Sequence, residues 1–298
     1  MRQVRIGTIS FLLEDSPHTV QFNLQRAEAY IRQAAERGCD VVCLPEMFRT
    51  LKVKDRESEP EELGGETWQL LSRLAATLRM NIIGAWYVSE GGKTYNQATV
   101  FDRSGAVAGH YRKAQPTGGE MQAGITAGSQ FPVIELDIGK VAVMICMDIY
   151  FPEIPRIYAH KGAEILFWPT VSLGPTQEGL LAQMASRAID NGLWIVESNL
   201  ANHPPYAPYS GRFRPGTARI MDFNGDVLAW TGRRGGLAVA DVDLDEERLT
   251  SWTVLLREPD CFRQDLQSIT RLDLFAKEYA AIAERQSKAK QYFEQVDE

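Results

Sequence analysis

An apolar strand leads directly into a helix start in the stretch VAVMICMDIYFPE, residues 141–153. Val141 to Met147 is the longest uninterrupted apolar run, which favours a buried strand and is far shorter than the roughly 18 residues that span a bilayer. Pro152 and Glu153 are typical of a helix start, because proline fits the first turn and an acidic residue complements the helix dipole. A buried strand followed at once by a helix predicts an α/β fold.

The same alternation of strand and helix extends in both directions from that segment. Apolar strands and amphipathic helices alternate, but turns such as Glu90-Gly91-Gly92-Lys93 and Arg103-Ser104-Gly105 join some strands as hairpins. We therefore expect a mixed α/β sandwich of two sheets covered by helices rather than one parallel sheet. Since no linker or low-complexity segment interrupts the chain, we predict a single domain over residues 1–298. Its polar, partly helical tail from about Asp245 is a candidate for packing on another subunit.

Composition restricts the class of protein and its partners. The chain has 298 residues, of which 44% are hydrophobic, so it can bury a large core and is not disordered, collagen-like or a coiled coil. Its net charge is −7 without a basic stripe, which argues against a nucleic-acid partner. The N-terminus lacks the long apolar run of a signal peptide, so we expect a cytoplasmic protein that does not bind membranes.

The cysteines and histidines do not indicate a structural metal or a disulfide framework. Four cysteines in so long a chain are too few for disulfide-dependent folding. The four histidines are scattered, and none lies at zinc-like spacing from a cysteine. We predict that the protein uses no metal and no organic cofactor.

Cys146 is the strongest candidate nucleophile. It ends the apolar run and precedes a helix start, where partial positive charge lowers the pKa of a thiol. The alternative is a buried, unreactive cysteine, which is the more common role of a single cysteine.

Three ionisable residues gain meaning when they are read together with Cys146. Glu46 follows a buried strand that ends at Pro45, Lys113 closes another strand, and Glu120 lies in a glycine- and proline-containing loop. Taken singly, each is more simply read as a surface charge. The ends of strands are, however, where α/β folds place the residues of their sites.

The ordered set resembles the Glu–Lys–Cys triad of the nitrilase (carbon–nitrogen hydrolase) superfamily. The spacings are 113 − 46 = 67 and 146 − 113 = 33 residues, and the resemblance extends from Val4 to about Val242. Similar family segments surround the set, namely 38–46, 151–153, 162–169 and 187–191. This resemblance implies a four-layer α-β-β-α sandwich, assembled into a homodimer or a larger homo-oligomer.

The resemblance also implies a role for each residue. Glu46 is expected to act as general base and Cys146 to attack a small amide or carbamoyl compound, forming a thioester and releasing ammonia. Lys113 is expected to stabilise the oxyanion, with the backbone N–H that follows Cys146. Glu120 matches a second glutamate that positions the substrate and helps proton transfer, and we count it with the catalytic residues.

Departures from the family pattern bear on the substrate. The sequence Cys146-Met147-Asp148 is closer to amidases and carbamoylases than to nitrile hydrolases, which tend to have Cys-Trp-Glu. A nitrilase acting on a small nitrile, and a scaffold that keeps the fold without activity, remain as alternatives. The residues that we expect to contact the substrate are Met147, Tyr150, Trp168, Arg212 and Arg214.

Overall fold

The computed structural model describes residues 1–13, 17–54, 60–171, 177–202, 217–232, 235–246 and 268–296. Internal contacts divide the chain into two compact units, Met1–Arg248 and Leu249–Glu298. The first unit contains every strand given below, and the second contains the last helix. The single-domain organisation expected from the sequence stays a prediction.

The strands lie in one continuous sheet that bends into two halves. Their bounds are β1 Gln3–Leu13, β2 Val41–Glu46, β3 Glu61–Glu62, β4 Asn81–Glu90, β5 Lys93–Phe101, β6 Val107–Arg112, β7 Ile134–Leu136, β8 Gly139–Val143, β9 Ile165–Pro169, β10 Trp194–Asn202, β11 Arg219–Met221, β12 Val227–Trp230 and β13 Gly236–Asp243.

The helices lie between these strands and after them. Their bounds are α1 Val20–Glu36, α2 Glu66–Leu78, α3 Gly118–Gln122, α4 Glu153–His160, α5 Gln177–Asn191 and α6 Leu272–Val296, with a 3₁₀ helix at Cys146–Tyr150. Helix α1 ends before Gly38, whose φ of +72° explains why glycine stands at this turn.

Strand order follows the path β6-β5-β4-β2-β1-β10-β9-β8-β7. β13 pairs with β1, β3 pairs with β4, and β11 pairs with both β10 and β12. Along the path β4-β2-β1-β10-β9-β8, successive strands are parallel. The hairpins at its two ends are antiparallel, as are the pairs β1–β13 and β10–β11. Among the described residues, the two halves are joined by strand pairing only between the ends of β1 and β10, Ser10–Leu13 against Asn199–Asn202.

Two apolar cores give the first unit its layers. One core lies between the two halves of the sheet and contains residues from both, such as Ile83, Val143 and Val196. The other packs α1 and α2 against the outer face of the β1–β6 half. On the opposite outer face, Tyr158 of α4 and Met184 of α5 are fully buried. The predicted α-β-β-α sandwich is confirmed.

Some local predictions were wrong. β8 ends at Val143, although the apolar run predicted a strand through Met147. β10 extends to Asn202, well past its apolar part, because parallel pairing with β1 and β9 supplies its backbone hydrogen bonds. The short helix α3 lies where a glycine-containing loop was expected.

The parallel strands bring several chain segments to one edge of the sheet. Carboxyl ends of parallel strands meet at the same edge, and this is where open α/β sheets bind ligands. Glu46 ends β2, Cys146 lies shortly after β8, and Thr170 directly follows β9. Among the described helices, none is long and apolar enough to cross a membrane.

Candidate active site

Cys146 begins a tight turn rather than ending a strand. The 3₁₀ helix Cys146–Tyr150 starts at the cysteine itself, and two residues separate it from the end of β8 at Val143. The φ angle of Cys146 is +46°, a conformation that costs a residue other than glycine about 1–3 kcal/mol. This left-handed conformation turns the chain away from the sheet, which is why the strand does not continue to Met147.

Asp148 anchors the cysteine turn to the loop that carries the lysine. Its Oδ2 accepts hydrogen bonds from the amide of Ile145 at 2.8 Å and from the hydroxyl of Tyr111 at 2.7 Å. Its Oδ1 accepts the amide of Gln115 at 3.0 Å. Burial raises the pKa of Asp148 to about 6, although these three donors favour the carboxylate. Since Tyr111 and Gln115 flank Lys113, the buried carboxyl group of Asp148 fixes both the cysteine turn and the segment that carries the lysine.

Two further side chains hold the carbonyl groups of the same turn. The indole N–H of Trp168 donates to the carbonyl oxygen of Cys146 at 3.0 Å. Nε and Nη2 of Arg187 both donate to the carbonyl oxygen of Ile149, each at 3.0 Å. These bonds stabilise the strained conformation of the cysteine from both ends of the turn.

Glu46 is buried where β2 ends. Its side chain is 1% exposed, and its Oε2 accepts the amide N–H of Val171 at 2.9 Å. Val171 follows β9, so this hydrogen bond joins the ends of two parallel strands. The rigid Pro45 and the backbone donor together hold the carboxylate at the sheet edge, where the sequence placed it.

Lys113 lies between two carboxylates. Its Nζ is 3.0 Å from Oε1 of Glu46 and 2.8 Å from Oε2 of Glu120. Burial opposes the charged form of the lysine, but the charges of Glu46, Cys146 and Glu120 raise its pKa well above the ordinary value. The lysine is therefore a permanent ammonium ion at neutral pH.

Glu120 is held by its own short helix. Its backbone N–H donates to Oγ1 of Thr117, and its Oε2 accepts the backbone N–H of Thr117, which together form a capping box at the start of α3. Burial opposes ionisation, but Lys113 and these donors lower the pKa of Glu120. The glutamate thus faces the lysine as a carboxylate.

Asn96 links the two glutamates and was missed by the sequence analysis. Its Nδ2 donates to Oε1 of Glu46 at 2.7 Å and to Oε1 of Glu120 at 2.8 Å. The hydroxyl of Tyr87 also donates to Oε1 of Glu120, at 3.3 Å. The available signal was the amide pair Asn96-Gln97 in the middle of the strand β5, and the structure buries both side chains fully.

The thiol of Cys146 lies close enough to Thr170 and Glu46 for both side chains to shift its pKa. Burial and the negative charge of Glu46 raise its pKa to about 12, and Lys113 only partly offsets them. The sequence left the resting state of this thiol open, and in the structure burial and Glu46 outweigh the lowering of the pKa that we expected from the helix start. The cysteine rests as a neutral thiol beside a carboxylate that can accept its proton.

A family profile matches most of this chain. The profile describes a carbon-nitrogen hydrolase and covers residues 6–251, a range that contains all four of these ionisable residues. The chain belongs to the carbon-nitrogen hydrolase family. The resemblance to the nitrilase superfamily is confirmed.

Curated relatives of this carbon-nitrogen hydrolase agree with the profile. Omega-amidase NIT2 of Xenopus tropicalis is 30% identical over 258 residues, which are 82% of this chain and 90% of the relative. The probable hydrolase YhcX of Bacillus subtilis is 32% identical over 286 residues, 89% of this chain and 55% of that protein.

Solved structures share the fold of this carbon-nitrogen hydrolase. An amidase from Nesterenkonia sp. superposes with a TM-score of 0.71, at 22% identity, over 92% of this chain and 95% of that chain. A carbon-nitrogen hydrolase from Helicobacter pylori superposes with a TM-score of 0.68, at 23% identity, over 82% and 90% of the two chains.

The residues expected to contact the substrate of this hydrolase lie in different settings. Met147 is partly buried and Tyr150 is exposed, whereas Trp168 is fully buried beneath the cysteine turn. Arg212 and Arg214 lie outside the described residues. For all five of these residues, contact with the substrate stays a prediction. Over the described ranges, no group of three or more His, Cys, Asp and Glu side chains is arranged to hold a metal ion.

Proposed function

We propose that this carbon-nitrogen hydrolase cleaves the C–N bond of a small amide and releases ammonia, with Cys146 as nucleophile. The observation that carries the proposal is the position of Lys113 between two buried carboxylates, one of which also contacts the thiol of Cys146. A base, a nucleophile and a fixed cation in contact are the parts that acyl transfer requires.

In the first step, Glu46 accepts the thiol proton as the sulfur of Cys146 attacks the amide carbon. A C–S bond forms, and the π electrons of the carbonyl group move onto its oxygen. Because the resting pKa of the thiol is about 12, the proton leaves only when a base takes it during attack. The neighbouring Glu46 carboxylate is that base.

The negative oxygen needs donors that are already in place. The ammonium of Lys113 supplies one. The backbone N–H of Met147 supplies another, because N–H groups in the first turn of a helix have no intrahelical partner, and the 3₁₀ helix begins at Cys146. Such preorganised donors stabilise a developing oxyanion strongly in a site that excludes water.

The tetrahedral adduct then collapses and the C–N bond breaks. The protonated Glu46 gives its proton to the leaving nitrogen, which departs as ammonia and leaves a thioester on Cys146. Glu46 next accepts a proton from water, whose oxygen attacks the thioester. The C–S bond breaks, the acid leaves, and the thiol regains its proton. One amide and one water thus give one acid and one ammonia.

Glu120 keeps the lysine in place during both steps. Its carboxylate accepts hydrogen bonds from Lys113, Asn96 and Tyr87. We therefore assign it a positioning role on the lysine. The amide preference rests on the omega-amidase relatives and on Asp148, whose buried carboxylate ties the cysteine turn to the lysine loop.

Ammonia release from matched panels of small amides and nitriles tests this function. Cys146→Ala is expected to abolish turnover without lowering the melting temperature. Cys39→Ala is the matched control, since Cys39 is a buried cysteine remote from the described hydrogen bonds of the site. Mass spectrometry after an acid quench is expected to show the acyl group on the peptide that contains Cys146. Turnover by Cys146→Ala, or activity on nitriles alone, would contradict the proposal.

A further inference from the structure

Tyr87 lies on the wall of the candidate active site. Side chains alternate between the two faces of a strand, and Ile83 and Ala85 of β4 belong to the core between the two halves of the sheet. Tyr87 therefore faces the same way, one position nearer the carboxyl end of the strand. Ala85 pairs with Glu46, so Tyr87 lies just beyond the level of Glu46 in the sheet, and its side chain is partly exposed. The ring stands where the core ends and the site begins.

The hydroxyl group of Tyr87 can only accept a further hydrogen bond. Its O–H donates to Oε1 of Glu120 at 3.3 Å. Glu120 has a lowered pKa and is a carboxylate at neutral pH, so it accepts hydrogen bonds and donates none. Burial and the charges of Glu120 and Glu46 raise the pKa of Tyr87, which keeps it a neutral phenol with one proton. Since Glu120 takes that proton, the phenol oxygen offers a ligand nothing but a lone pair.

The polar groups around Tyr87 favour the same kind of ligand group. Asn96 lies opposite Tyr87 in the pair of β4 and β5. Its Nδ2 already donates to Glu46 and Glu120. The ammonium of Lys113 contacts the same two carboxylates. Two carboxylates and one ammonium give this part of the site a net negative charge, so it repels an anionic ligand group and favours one that donates a hydrogen bond.

We propose that Tyr87 is a specificity-determining residue, whose phenol oxygen selects small amides that carry a hydrogen-bond donor on the acyl chain. The class comprises hydroxy-amides and amino-amides, as opposed to plain aliphatic amides of the same size. The phenol keeps its bond to Glu120 while it binds such a donor, because donation uses its proton and acceptance uses a lone pair. This inference rests on the proposed amide hydrolysis and names the class of substrate for that site.

Pairs of amides with matched shapes test the selection. Glycolamide and propanamide differ by a hydroxyl in place of a methyl group, and β-hydroxypropanamide and butanamide repeat the comparison one carbon further along the chain. In at least one pair, the hydroxy-amide is expected to have a kcat/KM about 3- to 10-fold higher, which is the worth of one neutral hydrogen bond.

Tyr87→Phe keeps the ring and removes only the oxygen. It is expected to abolish the preference within the pair, and the ratio of the two kcat/KM values cancels any common loss of turnover and any difference in intrinsic reactivity. Tyr95→Phe is the matched control. Tyr95 pairs with Val88 of the outer core and its ring faces Arg112, so this variant is expected to keep the wild-type ratio. Equal ratios in the wild type and in Tyr87→Phe, for both pairs, would overturn the proposal.

Binding to an inactive variant separates this inference from the proposed function. Ligand-observed NMR titration of Cys146→Ala is expected to give a lower Kd for the hydroxy-amide of the selected pair, and adding Tyr87→Phe is expected to equalise the two Kd values. If the wild type released no ammonia from any of the four amides, the proposed hydrolysis would fail while this titration still measured the role of Tyr87. Equal Kd values within both pairs, or no binding of any of the four, would overturn the inference.

Discussion

The ammonium of Lys113 lies 3.0 Å from the carboxylate of Glu46, although 67 residues separate them in the sequence. Two strands, β5 and β4, stand between their elements β6 and β2 in the sheet. Asn96, on β5, donates hydrogen bonds to both Glu46 and Glu120 and so links the two carboxylates that contact the lysine. The contact therefore depends on the strands β2, β5 and β6 and on the helix α3, which carries Glu120.

Replacing Lys113 by methionine is expected to damage both turnover and stability. Loss of one oxyanion donor typically lowers kcat by roughly 10²–10³. Leaving two buried carboxylates without their cation is expected to lower the free energy of unfolding by about 3–5 kcal/mol. Steady-state kinetics and urea unfolding measure the two effects.

A surface lysine provides the comparison for that variant. Lys140 is 50% exposed and 3.7 Å from Glu135, so Lys140→Met is expected to change stability by less than about 1 kcal/mol. Lys113→Arg is also expected to fail, because a planar guanidinium cannot replace a compact ammonium between two carboxylates. Near-normal turnover by Lys113→Arg would refute the assignment of Lys113.

Glu46→Gln is expected to lower the pKa of the Cys146 thiol while abolishing hydrolysis. The negative charge of Glu46 disfavours the thiolate, so its removal shifts the pH profile of iodoacetamide alkylation to lower pH from a pKa of about 12. The general base is lost at the same time, so turnover falls. An unchanged alkylation profile would show that Glu46 does not act on the thiol.

Asn96→Ala is expected to reduce kcat by about 10- to 100-fold, since hydrogen bonds to charged groups contribute about 1.5–3 kcal/mol. Asn96 stabilises the ionised form of Glu120, so its loss raises the pKa of Glu120 and moves the acid limb of the pH–rate profile to higher pH. Gln97→Ala removes the adjacent buried amide, which bonds Thr99 and Arg112 instead. A similar pH shift in both variants would contradict a positioning role for Asn96.

A second buried ion pair lies outside the proposed chemistry. Nη1 of Arg219 is 2.7 Å from Oε2 of Glu197, with the side chains 3% and 0% exposed. Arg219→Met is expected to lower the free energy of unfolding by about 3–5 kcal/mol, because Glu197 is left buried without its cation. The double variant Glu197→Gln/Arg219→Met is expected to lose less free energy of unfolding than Arg219→Met, as measured by urea unfolding. A double variant less stable than Arg219→Met would contradict this.

The sequence by itself determined the architecture and the identities of the ionisable residues. Strands and helices have different apolar periods, so their alternation is visible without a structure. Glu46 follows a buried strand, and it gains meaning, like Lys113, from the ordered set that both residues form with Cys146. The helix start at Glu153 is likewise a local feature, which the structure places at the first residue of α4.

Only the tertiary structure decided how these residues act on one another. The strained backbone of Cys146 is held by Trp168 and Arg187, whose bonds to the turn are made by tertiary packing and leave no local pattern. The raised pKa of the thiol depends on burial and on a carboxylate 100 residues away in sequence, 146 − 46. Burial and distance are properties of the folded chain, so a helix start that favours a thiolate in isolation carries a neutral thiol here.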